Sequence, residues 1–152
     1  MKPIHLQRWR DLVVSLQGAP QSTHYQQLVA RYSRPDRVYH SLPHLQHCLQ
    51  EFDQHSGELT QASIVEMALW YHDAIYDPQA SDNELQSAAL AARELQQMGI
   101  AENTQLKVRQ LILMTIHPST PQQLDEKFIV DIDLAILGAE AYQYASYVDK
   151  VN

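Results

Sequence analysis

Apolar residues return every three or four positions along most of this chain, the period of helices that each bury one face. Leu6, Trp9, Leu12, Val13 and Leu16 predict a first amphipathic helix, stopped near Gly18 and Pro20. Ser22 can cap a second helix carrying Tyr25, Leu28, Val29 and Tyr32. Prolines and a Ser-Arg-Pro-Asp turn make residues 34–43 a loop. Ser41 and Pro43 signal the start of a third helix, His44 to about Gln54, with Leu45, Cys48, Leu49 and Phe52 as its buried stripe. His44 flanks that stripe and can reach inward, while His47 points the opposite way. Thr60 can cap a central helix that runs to about Ile75 and ends before Asp77-Pro78.

Ser81-Asp82-Asn83-Glu84 opens the next helix, with Leu85, Ala88, Ala89, Ala92 and Leu95 inward and Gly99-Ile100 as its C-terminal cap. A sixth helix covers roughly Asn103 to Ile116, apolar along Leu106, Val108, Leu111, Ile112 and Leu113, and stops at His117-Pro118. Thr120-Pro121-Gln122-Gln123 has the spacing of a capping box. The stretch Phe128 to Gly138 reads as a short strand by alternation or as a helix by period. The helical reading suits the rest of the chain, and it puts Asp133 among Ile129, Ile132 and Ile136 with Asp131 facing away. Residues 139–152 continue the helical period through Tyr142, Ala145 and Val148.

Composition narrows the function classes. At 152 residues the chain is expected to form one domain with a real core. Only four glycines are present, which favours helix. Eleven Lys and Arg against 18 Asp and Glu give a formal charge of −7, with no basic stripe, so duplex nucleic acid is an unpromising partner. The single cysteine, Cys48, rules out an intrachain disulfide and suits a reducing compartment. No apolar run spans a bilayer and the first residues lack a signal-peptide core, so a cytoplasmic, membrane-free protein is expected. Internal repeats, low-complexity tracts and linkers are absent, as are a phosphate-binding glycine loop, Gly-x-Ser-x-Gly and Cys-paired zinc spacing.

The candidate chemistry lies in Trp70-Tyr71-His72-Asp73-Ala74-Ile75-Tyr76-Asp77. An adjacent His and Asp in an apolar helical segment must find compensation for burial, and a metal ion is one such partner. His44, His72 with Asp73, and Asp133 are inward polar residues on three separate helices, a mixed nitrogen and oxygen set suited to a divalent ion. Each also has a structural reading: His72 bonded to a backbone carbonyl, Asp73 paired with an arginine, Asp131 or Asp133 capping a helix.

The order His44, His72-Asp73, Asp133 resembles the H…HD…D signature of the HD-domain superfamily of metal-dependent phosphohydrolases. Arg37-Val38-Tyr39-His40-Ser41-Leu42-Pro43-His44-Leu45, the segment 70–77, Asp82-Asn83-Glu84-Leu85-Gln86-Ser87-Ala88 and Asp131-Ile132-Asp133-Leu134-Ala135-Ile136-Leu137-Gly138 are similar to its bacterial predicted-phosphohydrolase branch. That resemblance implies an all-α HD-domain helical bundle over 1–152, lacking C-terminal helices of that branch. Apolar surface on the shortened side would then be uncovered, or covered by another copy of the chain in a homo-oligomer. It implies that His44, His72, Asp73 and Asp133, with Asp131 in reserve, hold Mn, Fe, Co, Ni, Zn or Mg. Metal-activated water would attack the phosphorus of a small phosphorylated substrate such as a nucleotide.

Three further assignments accompany it. Arg37 is expected to clamp phosphate, with a solvated loop arginine as the alternative. His40 and His117 are expected to bind substrate or a second ion. Glu84 is a general acid or base, or else the end of a capping box from Ser81. Di-iron oxygenase chemistry and a non-catalytic nucleotide-binding signalling module are the competing functions.

Overall fold

The computed structural model describes residues 4–37, 39–116 and 123–133. Every regular element among them is helical: α1 (Leu6–Ser15), α2 (Ser22–Tyr32), α3 (Leu42–His55), a short 3-10 turn (Ser56–Glu58), α4 (Ala62–Tyr71), α5 (Asn83–Gln97) and α6 (Glu102–Leu113). A further helix, α7, covers residues 124–133. The fold is all-α, and the helical alternative for the stretch after Phe128 holds as far as Asp133. Among the described residues no helix is long and apolar enough to cross a membrane.

The centre of the bundle is α4. Seven of its ten residues are buried, Ile64, Val65, Met67, Ala68, Leu69, Trp70 and Tyr71. A helix apolar nearly all round must be covered on several sides, and α4 packs against α1, α3, α5 and α6. Trp9 of α1 meets Trp70 edge-on with ring centroids 5.4 Å apart. Beside them Arg8 forms two 2.9 Å bonds to Asp53 of α3 and one to Glu66 of α4, whose carboxylate also accepts from the Trp70 indole at 3.1 Å. This paired, hydrogen-bonded arrangement lets an arginine sit in the core, since a buried charge needs both kinds of compensation.

Two helix ends follow local rules. Gly99 adopts φ 76°, and the N–H groups of Gly99 and Ile100 bond back to Gln96 and Leu95, the paired pattern that closes a helix on a left-handed residue. α1 closes the same way, but its left-handed residue is Gln17 at φ 64°. Gly18 sits one place later because a Cβ there would lie 2.6 Å from Ile100 Cγ1.

Several boundaries and faces differ from expectation. α4 stops at Tyr71, so His72 lies in the turn that follows and not in mid-helix. Thr60 does not cap it; instead the Asp125 carboxylate of α7 accepts from the N–H groups of Thr60 and Gln61 at 2.8 and 2.9 Å. The inward face of α5 is Ser87, Ala88, Leu90, Ala91, Glu94 and Leu95, while Leu85 is 51% exposed. Two polar side chains turn inward there because both find partners: Ser87 Oγ with the Ile75 backbone and Glu94 with the Tyr71 hydroxyl at 2.7 Å. Leu106, the first residue of the apolar run expected along the sixth helix, is 53% exposed. The predicted helix opening at 120–122 and the segment 134–152 lie outside the described residues.

Candidate metal centre

Two imidazoles and two carboxylates converge at the end of α4. His44 is the third residue of α3, fully buried, on the face it shares with Cys48 one turn later. His72 and Asp73 follow α4 directly. Neighbouring residues in a continuous α-helix diverge by about 100°, so only one of a consecutive pair can face inward. The turn after Tyr71 removes that limit, and His72 Nε2 and Asp73 Oδ2 approach to 3.0 Å. Tyr32 pins the turn: its hydroxyl donates to the Trp70 carbonyl at 2.8 Å and accepts from the Asp73 N–H at 3.2 Å. The last donor, Asp133 on α7, is buried, whereas Asp131 is exposed.

The donor atoms have the spacing of a coordination shell. His44 Nε2 lies 3.3 Å from His72 Nε2, 3.2 Å from Asp73 Oδ2 and 3.4 Å from Asp133 Oδ1. His72 Nε2 lies 3.2 Å from Asp133 Oδ1. Ligands about 2.1 Å from one ion stand about 3.0 Å apart at neighbouring octahedral positions and about 3.4 Å apart at tetrahedral ones. The four atoms therefore suit a single small divalent cation. Cys48 Sγ, 3.6 Å from His44 Nε2, forms a second donor group with the same two histidines.

Protonation supports the same conclusion. His72 Nδ1 sits 2.6 Å from the Leu69 carbonyl, which can only accept, so Nδ1 carries the hydrogen and a neutral ring turns the Nε2 lone pair into the cluster. Two imidazole nitrogens and two carboxylates aimed at one point repel unless a proton or a cation lies between them. Burial disfavours a charged His72, but Asp73 and Asp133 outweigh it and raise the imidazolium pKa well above the usual 6.5. Burial likewise opposes ionisation of the carboxylates. The charge and hydrogen bonds of the surrounding histidines prevail, holding Asp73 well below the ordinary range and Asp133 at about 2.

Around the cluster, residues differ in what they touch. His40 Nδ1 donates to Asp73 Oδ2 at 2.8 Å, and its ring lies 4.7 Å from that of Tyr76. Its backbone is left-handed at φ 55°, a strained conformation for a residue with a Cβ. Arg37 holds it there. NH1 donates to the carbonyls of His40 and Asp73 at 2.8 Å and NH2 to that of Ala74 at 2.9 Å, with the guanidinium over the rings of Tyr32 and Tyr76. Arg37 is thus a buried brace between the 37–40 loop and the end of α4, and not the solvated loop arginine that was the alternative to a phosphate clamp.

Glu84 lies half-buried in the first turn of α5, outside the His–Asp group. Its capping box with Ser81 does not form, because Asp82 is the N-cap and no side chain caps the helix. Asn83 and Ser87, one turn apart on α5, instead bond the backbones of Asp77 and Ile75. His117 lies outside the described residues.

Sequence reasoning passed over Cys48, Tyr32, Asn83 and Ser87. Cys48 was legible, since it stands four residues after His44 and so shares its face. Nothing local marked Tyr32, whose partners are 38 and 41 residues away. Comparison of the chain with models of known families, with curated proteins and with solved structures finds no match.

Proposed function

We propose that this chain is a metal-dependent phosphohydrolase of the HD type acting on a small phosphorylated substrate. The observation that carries the proposal is the convergence of His44, His72, Asp73 and Asp133 from two helices and one turn at 3.0–3.4 Å between donor atoms. A divalent ion held there supplies positive charge to a phosphoryl oxygen and acidifies water, the two requirements of phosphoester hydrolysis near neutral pH. His40 orients Asp73 through Nδ1. Its side chain is 22% exposed, against none for His44 and His72, so it is the ring best placed to meet substrate and to move a proton at Nε2. Tyr32 and Arg37 keep the turn that aims His72 and Asp73 together. A cytoplasmic setting agrees with the buried free thiol of Cys48.

The test is a panel of divalent metals against nucleotides and simple phosphate esters, run on the protein and on a His72→Ala/Asp73→Ala variant. Turnover and bound metal are expected to disappear together in the variant. Phosphate release that survives the double change sinks the proposal. Stoichiometric iron with oxygen consumption points to an oxygenase instead, and tight nucleotide binding without turnover points to a signalling module.

A further inference from the structure

Helices α4 and α7 touch at both ends through acidic residues of α7. Asp133 meets His72 just beyond the last residue of α4. Eight positions earlier, Asp125 accepts through Oδ1 from the Thr60 N–H at 2.8 Å and through Oδ2 from the Gln61 N–H at 2.9 Å, just before the first residue of α4. The two helices therefore run side by side in the same direction. At about 100° per residue, Asp125, Ile129 and Asp133 are spaced about 40° apart around α7, and all three are buried.

We infer that Asp125 is a positioning residue for the candidate metal centre: its two-oxygen grip on the start of α4 sets the register in which α7 presents Asp133 to His44 and His72. The inference rests on reading the His–Asp cluster as a metal centre. A slip of α7 by one residue moves Asp133 about 1.5 Å along the axis and turns it about 100°, which would take its carboxylate away from both imidazoles. Asp125 resists that slip because each oxygen is matched to a different, consecutive N–H. A one-residue shift would strand a buried carboxylate and two backbone donors. Glu126 adds a second tie, accepting from Gln110 of α6 at 2.8 Å. The carboxylate 8% exposed at one end of α7 thus acts on the cluster through the one 4% exposed at the other.

A purely structural cap would give the same contacts, and the experiment separates the two roles. Co(II) is titrated into the protein, Asp125→Asn, Asp125→Asn/Gln61→Asp and His72→Ala/Asp73→Ala, following affinity and the visible absorption of the bound ion. Thermal unfolding is measured alongside. Gln61 is the N-cap position of α4, so an aspartate there caps that helix locally without holding α7. Asp125→Asn is expected to weaken Co(II) binding about 10-fold or more and to change its absorption as the Asp133 oxygen leaves the shell. The added Gln61→Asp change is expected to recover thermal stability but neither affinity nor absorption. Recovery of all three, or an unaltered affinity in Asp125→Asn, overturns the inference. If Asp125→Asn does not fold, the double variant decides alone. Absence of His72- and Asp73-dependent Co(II) binding in the unaltered protein would instead remove the metal centre itself.

Discussion

Arg37 donates to three carbonyls and lies over two tyrosine rings, so its planar fork matters as well as its charge. Lysine keeps the charge but cannot reach three carbonyls from one plane. Arg37→Lys is expected to lower unfolding free energy by about 2 kcal/mol, measured by urea denaturation. A phosphate clamp at the surface would leave stability unchanged. The cluster residues respond to pH in a different manner. His72, with its pKa raised above 6.5, stabilises the metal-free fold fully below that value and loses the contribution as pH rises through its folded pKa. Asp133, lowered from 3.8 to about 2, contributes above its ordinary value and loses that as pH falls towards 2. Calorimetry of chelator-treated protein is therefore expected to show both contributions in full between about pH 4 and 6.5, and to show one or the other declining outside that range. An added divalent ion should raise the melting temperature more at pH 8 than at pH 6, because it displaces the proton on His72.

At the scale of the helices, the left-handed end of α1 is the least relaxed cap. Gln17 holds φ 64° where glycine is preferred, a conformation costing roughly 1–2 kcal/mol with a Cβ. Gln17→Gly relieves that strain and loses some chain entropy, for an expected net gain of about 0.5–1 kcal/mol in thermal unfolding. No shift, or a loss, would show that the side chain earns its place by other contacts. The helical stripes themselves were legible, because Leu45, Cys48, Leu49 and Phe52 or Leu12 and Val13 follow a period that burial enforces. So was the cap at Gly99, and the facing of Asp133 in and Asp131 out. The end of α4 was not, since it is set by Tyr32 and Arg37 from distant sequence. The outward turn of Leu85 was equally hidden, because polar Ser87 and Glu94 take the inner face only when their partners on the 71–75 segment are known. Periodicity reports which face is apolar. It carries no information on which polar group has found a partner across the bundle.

For the molecule as a whole, the cluster joins α3, the end of α4 and α7 at one point, so a ligand gripped there should hold three elements together. A divalent ion at 100 times its dissociation constant is expected to stabilise the chelator-treated protein by about 2.7 kcal/mol, read as a concentration-dependent melting temperature that His72→Ala/Asp73→Ala abolishes. The packing at the centre offers a convenient optical handle on the same event. The chain has two tryptophans, and both belong to one edge-on pair at 5.4 Å, fully shielded from water. Trp70 precedes His72 by two residues, and its carbonyl is fastened by the same tyrosine that pins Asp73. Tryptophan fluorescence thus originates in a single rigid chromophore group whose Trp70 lies two residues before the cluster, and a paramagnetic guest would dim it without any label being attached.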